Sequence, residues 1–265
     1  ENGYHDVRMV MQSIYLYDEV KIAKKKEPGI TLTTNLKFLP TGDGNIAYKA
    51  AQLLMDEFDL KEGVQITLNK HIPVAAGLAG GSSNAAAVLF GMNRLFGLRL
   101  TQQELMDRGV KLGADVPYCV MRGTVLAEGI GEKLTRLAPM PFCHMVVAKP
   151  PINVSTKMVY DSLDSGAITK HPDIDGIIEA INEGSVIKIA ERMGNVLEDV
   201  TIPLYPVIDK IKKDMISQGA YNAMMSGSGP TVFGIFPDEQ TALNCKEYLK
   251  RQGDARQVYI TETFN

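Results

Sequence analysis

Residues Pro73 to Ala87, PVAAGLAGGSSNAAA, constrain what this chain can fold into more than any other stretch. Three glycines (Gly77, Gly80 and Gly81) fall within five residues, two serines follow, and a run of small helix formers begins at Asn84. Ahead of them Val64-Gln65-Ile66-Thr67-Leu68 alternates apolar and polar residues, the period of a half-buried strand. Beyond them Ala85 to Phe96 has the composition of a helix. Strand, glycine-rich loop and helix in that order can bring several backbone N–H groups onto one small anion, and the helix N-terminus adds roughly half a positive charge there. Glycine suits such a loop because a Cβ blocks both positive φ and close approach of a phosphate.

Residue types exclude two common glycine loops. A Walker A loop needs Gly-Lys-Ser/Thr, and here Ser82 follows Gly81 directly. The dinucleotide fingerprint G-x-G-x-x-G is not met, since Leu78 and Ala79 follow Gly77. Glycine content alone leaves open a plain close-packed connection. Ser82 and Ser83 favour phosphate, because packing has no use for two hydroxyls at a helix start, although one of them could be an N-cap.

The pattern P-x-x-x-G-L-x-G-G-S-S, from Pro73 to Ser83, resembles the second signature of the GHMP kinases, the galactokinase, homoserine, mevalonate and phosphomevalonate kinase superfamily. The form AGLAGGSSNAA is most similar to the branch that acts on a cytidine diphosphate sugar alcohol, 4-diphosphocytidyl-2-C-methyl-D-erythritol. The resemblance implies ATP held by Pro73, Ala75, Gly77, Leu78, Ala79, Gly80, Gly81, Ser82, Ser83 and Asn84, with Mg²⁺ accompanying the ATP. It also implies transfer of phosphate to the 2-hydroxyl of that alcohol, in non-mevalonate isoprenoid precursor synthesis.

Further motifs extend the resemblance over nearly the whole chain. Gly113-Ala114-Asp115-Val116-Pro117 matches the segment carrying the family's catalytic aspartate, here Asp115. Taken alone, an Asp between a helix-stopping Gly and a Pro is a turn residue satisfying local N–H groups. Phosphoryl transfer to a hydroxyl needs a carboxylate within hydrogen-bond reach of that proton, and this is the role the resemblance gives Asp115. Ser226-Gly227-Ser228-Gly229 resembles the third signature, a second glycine turn at the substrate; as plain sequence it suits a hairpin loop. G-x-S-x-G is not met around Ser228, so a nucleophilic serine is not indicated. Tyr4 and His5 resemble the family's segment that holds the cytosine, and Tyr160 stands where an aromatic faces it from the other side; otherwise they read as an exposed loop pair and a half-buried helical tyrosine.

Elsewhere the chain reads as mixed α and β. Asp6 to Ile22 contains one or two strands, Ile30 to Thr34 another, and Asn45 to Phe58 a helix; Asn45 reads as its N-cap, while the resemblance also implies a place near the nucleotide. Thr101 to Glu104 is a capping box, Gly123 to Glu132 a strand and turn, and Cys143 to Ala148 an apolar strand. Residues 172 to 217 read as three helices, followed by a strand from Thr231, a helix from Asp238 to Gln252 and a strand from Gln257. Lys133 to Pro141, with Pro139 and Pro141, is the boundary that composition favours. With this pattern the resemblance implies an α+β, two-domain GHMP kinase fold: residues 1–141 as the nucleotide-binding half and 142–265 as a second half resembling the family's ferredoxin-like substrate domain.

Composition excludes several partners. A net charge of −3 offers no basic stripe for nucleic acid, and no apolar run is long enough to span a membrane. Cys119, Cys143 and Cys245 are odd in number and the four histidines are dispersed. That argues against a disulfide framework or a protein-held metal, and for a reducing cytoplasm. Nothing in the sequence sets the oligomeric state. Two rival readings remain: a GHMP kinase for homoserine or a mevalonate-type alcohol, and a silent nucleotide-binding relative. The family also has a first strand carrying Ala-Lys-Ile-Asn, with no counterpart in this sequence. The expectation is about 15–25 further residues upstream, including a lysine directed at the phosphates, since an omitted strand leaves ladder groups unpaired.

Overall fold

The alternating segments near the start of the chain form three strands, β1 (Val7–Gln12), β2 (Glu19–Lys25) and β3 (Ile30–Thr34). The structure is a computed structural model and describes residues 6–163, 168 and 171–265. Helix α1 (Ile46–Glu57), strand β4 (Gly63–Asn69) and helix α2 (Gly80–Phe96) follow. β4 is the middle strand of a sheet ordered β2-β4-β3, antiparallel to β2 and parallel to β3. Its Val64, Ile66 and Leu68 are buried while Gln65 and Thr67 face solvent, as period two requires. Beneath that face lie α1 and α2, joined through Ala47, Ala50, Ala51, Ala85 and Ala86, small residues that let the helix axes approach. Leu54, Leu89 and Met92 fill the same cluster.

Helix α3 (Gln102–Val110) opens with the complete capping box of Thr101 and Glu104. The short α4 (Val116–Met121) leads to β5 (Thr124–Gly129) and β6 (Lys133–Arg136). These strands complete an antiparallel sheet ordered β1-β5-β6. The 133–136 stretch, expected to be connection, is thus a strand: its pairing along β5 satisfies backbone groups that its largely exposed side chains do not advertise.

Beyond residue 141 come β7 (His144–Lys149), α5 (Thr156–Ser162), α6 (Ile174–Asn182), α7 (Val186–Arg192), α8 (Glu198–Leu204) and α9 (Val207–Ser217). The chain closes with β8 (Asn222–Met225), β9 (Val232–Phe236), α10 (Glu239–Gln252) and β10 (Gln257–Glu262). The antiparallel sheet β10-β7-β9-β8 is covered on both sides, so β7 reads as an unbroken apolar run. Val146 and Phe236 face one cluster with Ile208, Ile211, Met215 and Leu249. Met145 and Ile235 face the other, with Ile177, Ile181 and Ile189.

Four helices occupy 174–217 where three were expected. The extra break lies between Arg192 and Glu198, where the Asn195 carboxamide accepts from Leu197 N at 3.0 Å and donates to the carbonyls of Met225 and Gly227. A tertiary contact makes that break, so no local signal announces it.

The second cluster crosses between the halves. Val10 and Ile14 from the first half pack against Met140, Ile177 and Ile181. Gln12 donates to the Phe264 carbonyl at 2.9 Å and Phe264 N donates to Ser13 O at 2.9 Å, closing the same seam. Ile181→Ala should therefore cost about 2–5 kcal/mol, the usual range for a deeply buried Ile, in urea unfolding. A loss below about 1 kcal/mol would show that the seam contributes little.

Candidate active site

The segment from β4 to α2 owes its shape to three left-handed residues: Ala75 (φ +51°), Gly77 (φ +67°) and Ala79 (φ +49°). Only one of them is a glycine. Ala79 is the N-cap of α2 and makes no side-chain capping bond, and the first turn holds no acidic residue. Ser83 N donates to Ala79 O at 2.8 Å, while the N–H groups of Gly80, Gly81 and Ser82 have no acceptor among the described residues. The helix thus starts at Gly80 rather than near Ala85, with both glycines in its first turn. Ser83 Oγ is turned back onto Gly80 O at 3.0 Å. Open N–H groups at the positive end of a 17-residue helix make an anion site.

The glycines differ in what demands them. A Cβ on Gly80 would stand 2.9 Å from Ile72 Cγ2 and 3.3 Å from Lys70 Nζ, so its side-chain direction points into the protein and not at the anion. A Cβ on Gly81 meets only Ile46 Cγ2, at 3.6 Å. At Gly77 a Cβ would lie 2.3 Å from Ser226 O and 3.0 Å from Gly229 O. Asn84 needs a correction. Its side chain is expected at the nucleotide, but the residue is buried and its carboxamide is spent on Lys70 at 2.9 Å and on Asp18 at 2.8 Å. Pro73 is also buried, whereas Ala75, Leu78 and Ser82 are at least partly open to solvent.

The two glycine turns, far apart in sequence, touch. Ser226 Oγ donates to Gly77 O at 2.8 Å. Gly227 (φ +56°) and Gly229 (φ +89°) shape the second turn, and the Asn195 carboxamide holds the Gly227 carbonyl at 2.8 Å. Ser228 is buried, with its hydroxyl 2.8 Å from that of Thr156 at the start of α5. Sequence reasoning missed Asn195 and Ile46 as supports, and no motif marks them; Thr156 reads in the sequence only as part of a capped helix start.

Asp115 occupies the N-cap position of α4 but makes no side-chain capping bond, so it is not the local turn residue its neighbours would allow. Its carboxylate has no hydrogen bond or ion pair among the described residues, and burial pushes its pKa up. Ile46 at the start of α1 lies between the first turn of α2 and Gly113, two residues before Asp115: the directions that a Cβ on Gly81 and a Cβ on Gly113 would take both end on this side chain, at 3.6 and 3.5 Å. The Tyr160 phenol on α5 is pushed up first by burial and then by the charge of Asp115, which places the two residues within electrostatic reach. Asn45, by contrast, is used up as the N-cap of α1, accepting from Ala47 N and donating to Pro40 O. Tyr4 and His5 lie outside the described residues. Among those described, no group of three or more His, Cys, Asp or Glu is assembled, and no helix is long and apolar enough to cross a membrane.

Comparison with known proteins adds a family. The pattern described as GHMP kinases N terminal domain matches residues 45–123, and GHMP kinases C terminal matches 169–255. A protein of Lachnospira eligens named 4-diphosphocytidyl-2-C-methyl-D-erythritol kinase is 64% identical over 100% of this chain and 92% of its own. The chain belongs to the GHMP kinase family. This GHMP kinase also matches a solved 4-(cytidine 5'-diphospho)-2C-methyl-D-erythritol kinase with a TM-score of 0.85 and 29% identity, over 100% of this chain and 92% of that one. A homoserine kinase from Cytophaga hutchinsonii matches at TM-score 0.78 and 20% identity, over 95% and 88% of the two chains, and shares the fold. The α+β, two-domain GHMP kinase fold expected from the sequence is the one found.

The geometry separates two glycines of the loop. Gly77→Ala should destabilise the kinase by at least about 1–2 kcal/mol, from the left-handed backbone alone, with the Ser226 carbonyl adding to it. Gly81→Ala should be neutral or stabilise by up to about 0.5–1 kcal/mol, as for an open helical glycine. Denaturant unfolding of the two variants measures the contrast, and equal losses would contradict it.

Proposed function

We propose that this kinase transfers the γ-phosphoryl group of ATP to the 2-hydroxyl of 4-diphosphocytidyl-2-C-methyl-D-erythritol. GHMP kinases use ATP as phosphate donor. The acceptor rests on the full-length likeness to relatives that carry its name. The observation that carries the chemistry is the Asp115 carboxylate, desolvated and with no hydrogen-bond or ion-pair partner among the described residues.

In this reading residues 1–141 hold the nucleotide and 142–265 present the acceptor. The free N–H groups of Gly80, Gly81 and Ser82 bind the β- and γ-phosphate oxygens and offset their charge without rearranging. Ala75, Gly77, Leu78 and Ala79 shape the loop around them. Asp115 accepts the proton of the attacking hydroxyl, a role worth roughly 10²–10⁴ in rate. Tyr4, His5 and Tyr160 hold the cytosine, and the turn Ser226 to Gly229 brings the second half against the phosphate loop. The donor set suits a Mg²⁺ ion that arrives on the triphosphate rather than one caged by protein, since among the described residues Asp115 lacks a partner and no group of three or more His, Cys, Asp or Glu is assembled. When bound, such an ion neutralises charge on the transferring phosphate. The free thiols of Cys119, Cys143 and Cys245 fit a reducing cytoplasm.

Purified protein with ATP should phosphorylate the cytidyl alcohol and leave homoserine and mevalonate essentially untouched. Comparable turnover of either small alcohol would reject the acceptor.

Asp115→Asn should lower kcat by at least about 10²-fold. The variant should be no less stable than the parent at neutral pH. Burial raises the carboxyl pKa in the folded state, so folding favours the neutral acid, and stability is lost as pH rises from the unfolded value through the folded one. Above that window the charge opposes folding, and Asn removes it. The acid limb of the wild-type rate profile should correspondingly lie above the ordinary aspartate range. Near-normal turnover in the folded variant would take Asp115 out of the mechanism.

A further inference from the structure

Behind the anion site lies a closed set of charges that the proposed chemistry does not use. The side chains of Lys70 and Asp18 are 5% and 1% exposed and form an ion pair. The Lys70 ammonium also donates to Asn84 Oδ1 at 2.9 Å and to Gly80 O at 3.4 Å, so all three of its donors are engaged. Asp18 Oδ1 accepts from His71 N at 2.6 Å and Ile72 N at 2.9 Å, while Oδ2 takes Lys70 and the Asn84 amide at 2.8 Å. The Lys70 backbone is pinned as well: its N–H donates to Asn35 Oδ1 at 2.9 Å and its carbonyl accepts from Asn35 Nδ2 at 3.1 Å.

Stability alone does not account for such a pair, because matched apolar residues generally stabilise a buried position as well or better. What the pair fixes is relative position. Lys70 follows β4, Asp18 precedes β2, Gly80 opens the first turn of α2 and Asn84 lies one turn in. The ammonium also sits on the carbonyl of the peptide whose N–H belongs to Gly81. A carbonyl bonded to a cation polarises its own peptide, which makes that N–H a better donor to an anion on the other side.

We infer that Lys70 and Asp18 are positioning residues for the triphosphate: their ion pair, closed by Asn84, holds the first turn of α2 so that the free N–H groups of Gly80, Gly81 and Ser82 converge on one anion. This rests on the kinase reading above. It also separates Lys70 from a phosphate ligand, since its ammonium is consumed within the protein.

The test compares wild type, Lys70→Met, Asp18→Asn and the double variant Lys70→Met/Asp18→Asn. It measures binding of MgATP by calorimetry, KM for ATP and for the acceptor, and thermal stability. Each single variant should weaken MgATP binding by at least about tenfold, as the loss of charge-assisted hydrogen bonds does. KM for the acceptor should change by less than about twofold, a split that a general loss of fold does not give. The double variant leaves no unpaired buried charge, so it should recover stability relative to the less stable single variant while MgATP binding stays weak. A merely structural pair gives the opposite result, with affinity recovering alongside stability, and that outcome overturns the inference. So does unchanged MgATP affinity in a folded Lys70→Met protein that binds acceptor normally. Wild-type protein that binds no MgATP overturns the kinase reading and this inference with it.

Discussion

The N-terminus of α2 is the constraint on which the rest of the structure depends. A helix start leaves backbone donors without partners, and most proteins cap them with a side chain or an acidic residue in the first turn. Here Ala79 offers neither, and the donors at Gly80, Gly81 and Ser82 stay open among the described residues. Keeping polar groups available at a defined place requires a rigid support. The support is the alanine-rich contact of α1 with α2, the sheet around β4, and the Asp18–Lys70–Asn84 set behind the first turn. The buried charges and the open donors are two faces of the same turn.

Both halves of the chain contribute to the front of that turn. Ser226 binds the Gly77 carbonyl, and Gly77 has no room for a methyl group because carbonyls of the second glycine turn occupy it. Behind them, Thr156 and Ser228 tie α5 to the same turn. The two glycine turns are thus joined by contacts of a few ångströms, and the two halves by an apolar cluster drawing on Val10, Ile177 and Ile235 together. Ile46 plays the corresponding part inside the first half, where one side chain spans the approach from Gly81 to Gly113. In the proposed reaction a base and a phosphate must be placed in register, and this packing fixes the elements that would carry them.

Much of this was legible in the sequence, for identifiable reasons. Val64 to Leu68 alternates because one face of β4 is buried, and Cys143 to Ala148 does not alternate because both faces of β7 are covered. Thr101 and Glu104 announced α3 through a contact between near neighbours. The glycine loop and Asp115 stood out by residue type together with family resemblance. What stayed hidden depends on tertiary partners. β6 is defined by its pairing with β5, and the break before α8 by what Asn195 reaches. Lys70 and Asp18 are 52 residues apart and neither lies in a motif that requires it. Asn84 looked like part of the loop because it follows the serines, yet its position one turn into α2 points it inward. Glycine content likewise suggested where the backbone turns left-handed, but two of the three such positions in the loop carry methyl groups.

Those methyl groups at Ala75 and Ala79 have a kinetic meaning. Left-handed backbone costs alanine about 1–2 kcal/mol that glycine avoids, so the local preference of the chain opposes the shape it holds. In exchange, alanine has far fewer alternative conformations than glycine when contacts loosen. A loop of glycines would wander between successive ligands and have to be gathered again each time. With Ala75 and Ala79 in place, that search is narrowed once, as the chain folds.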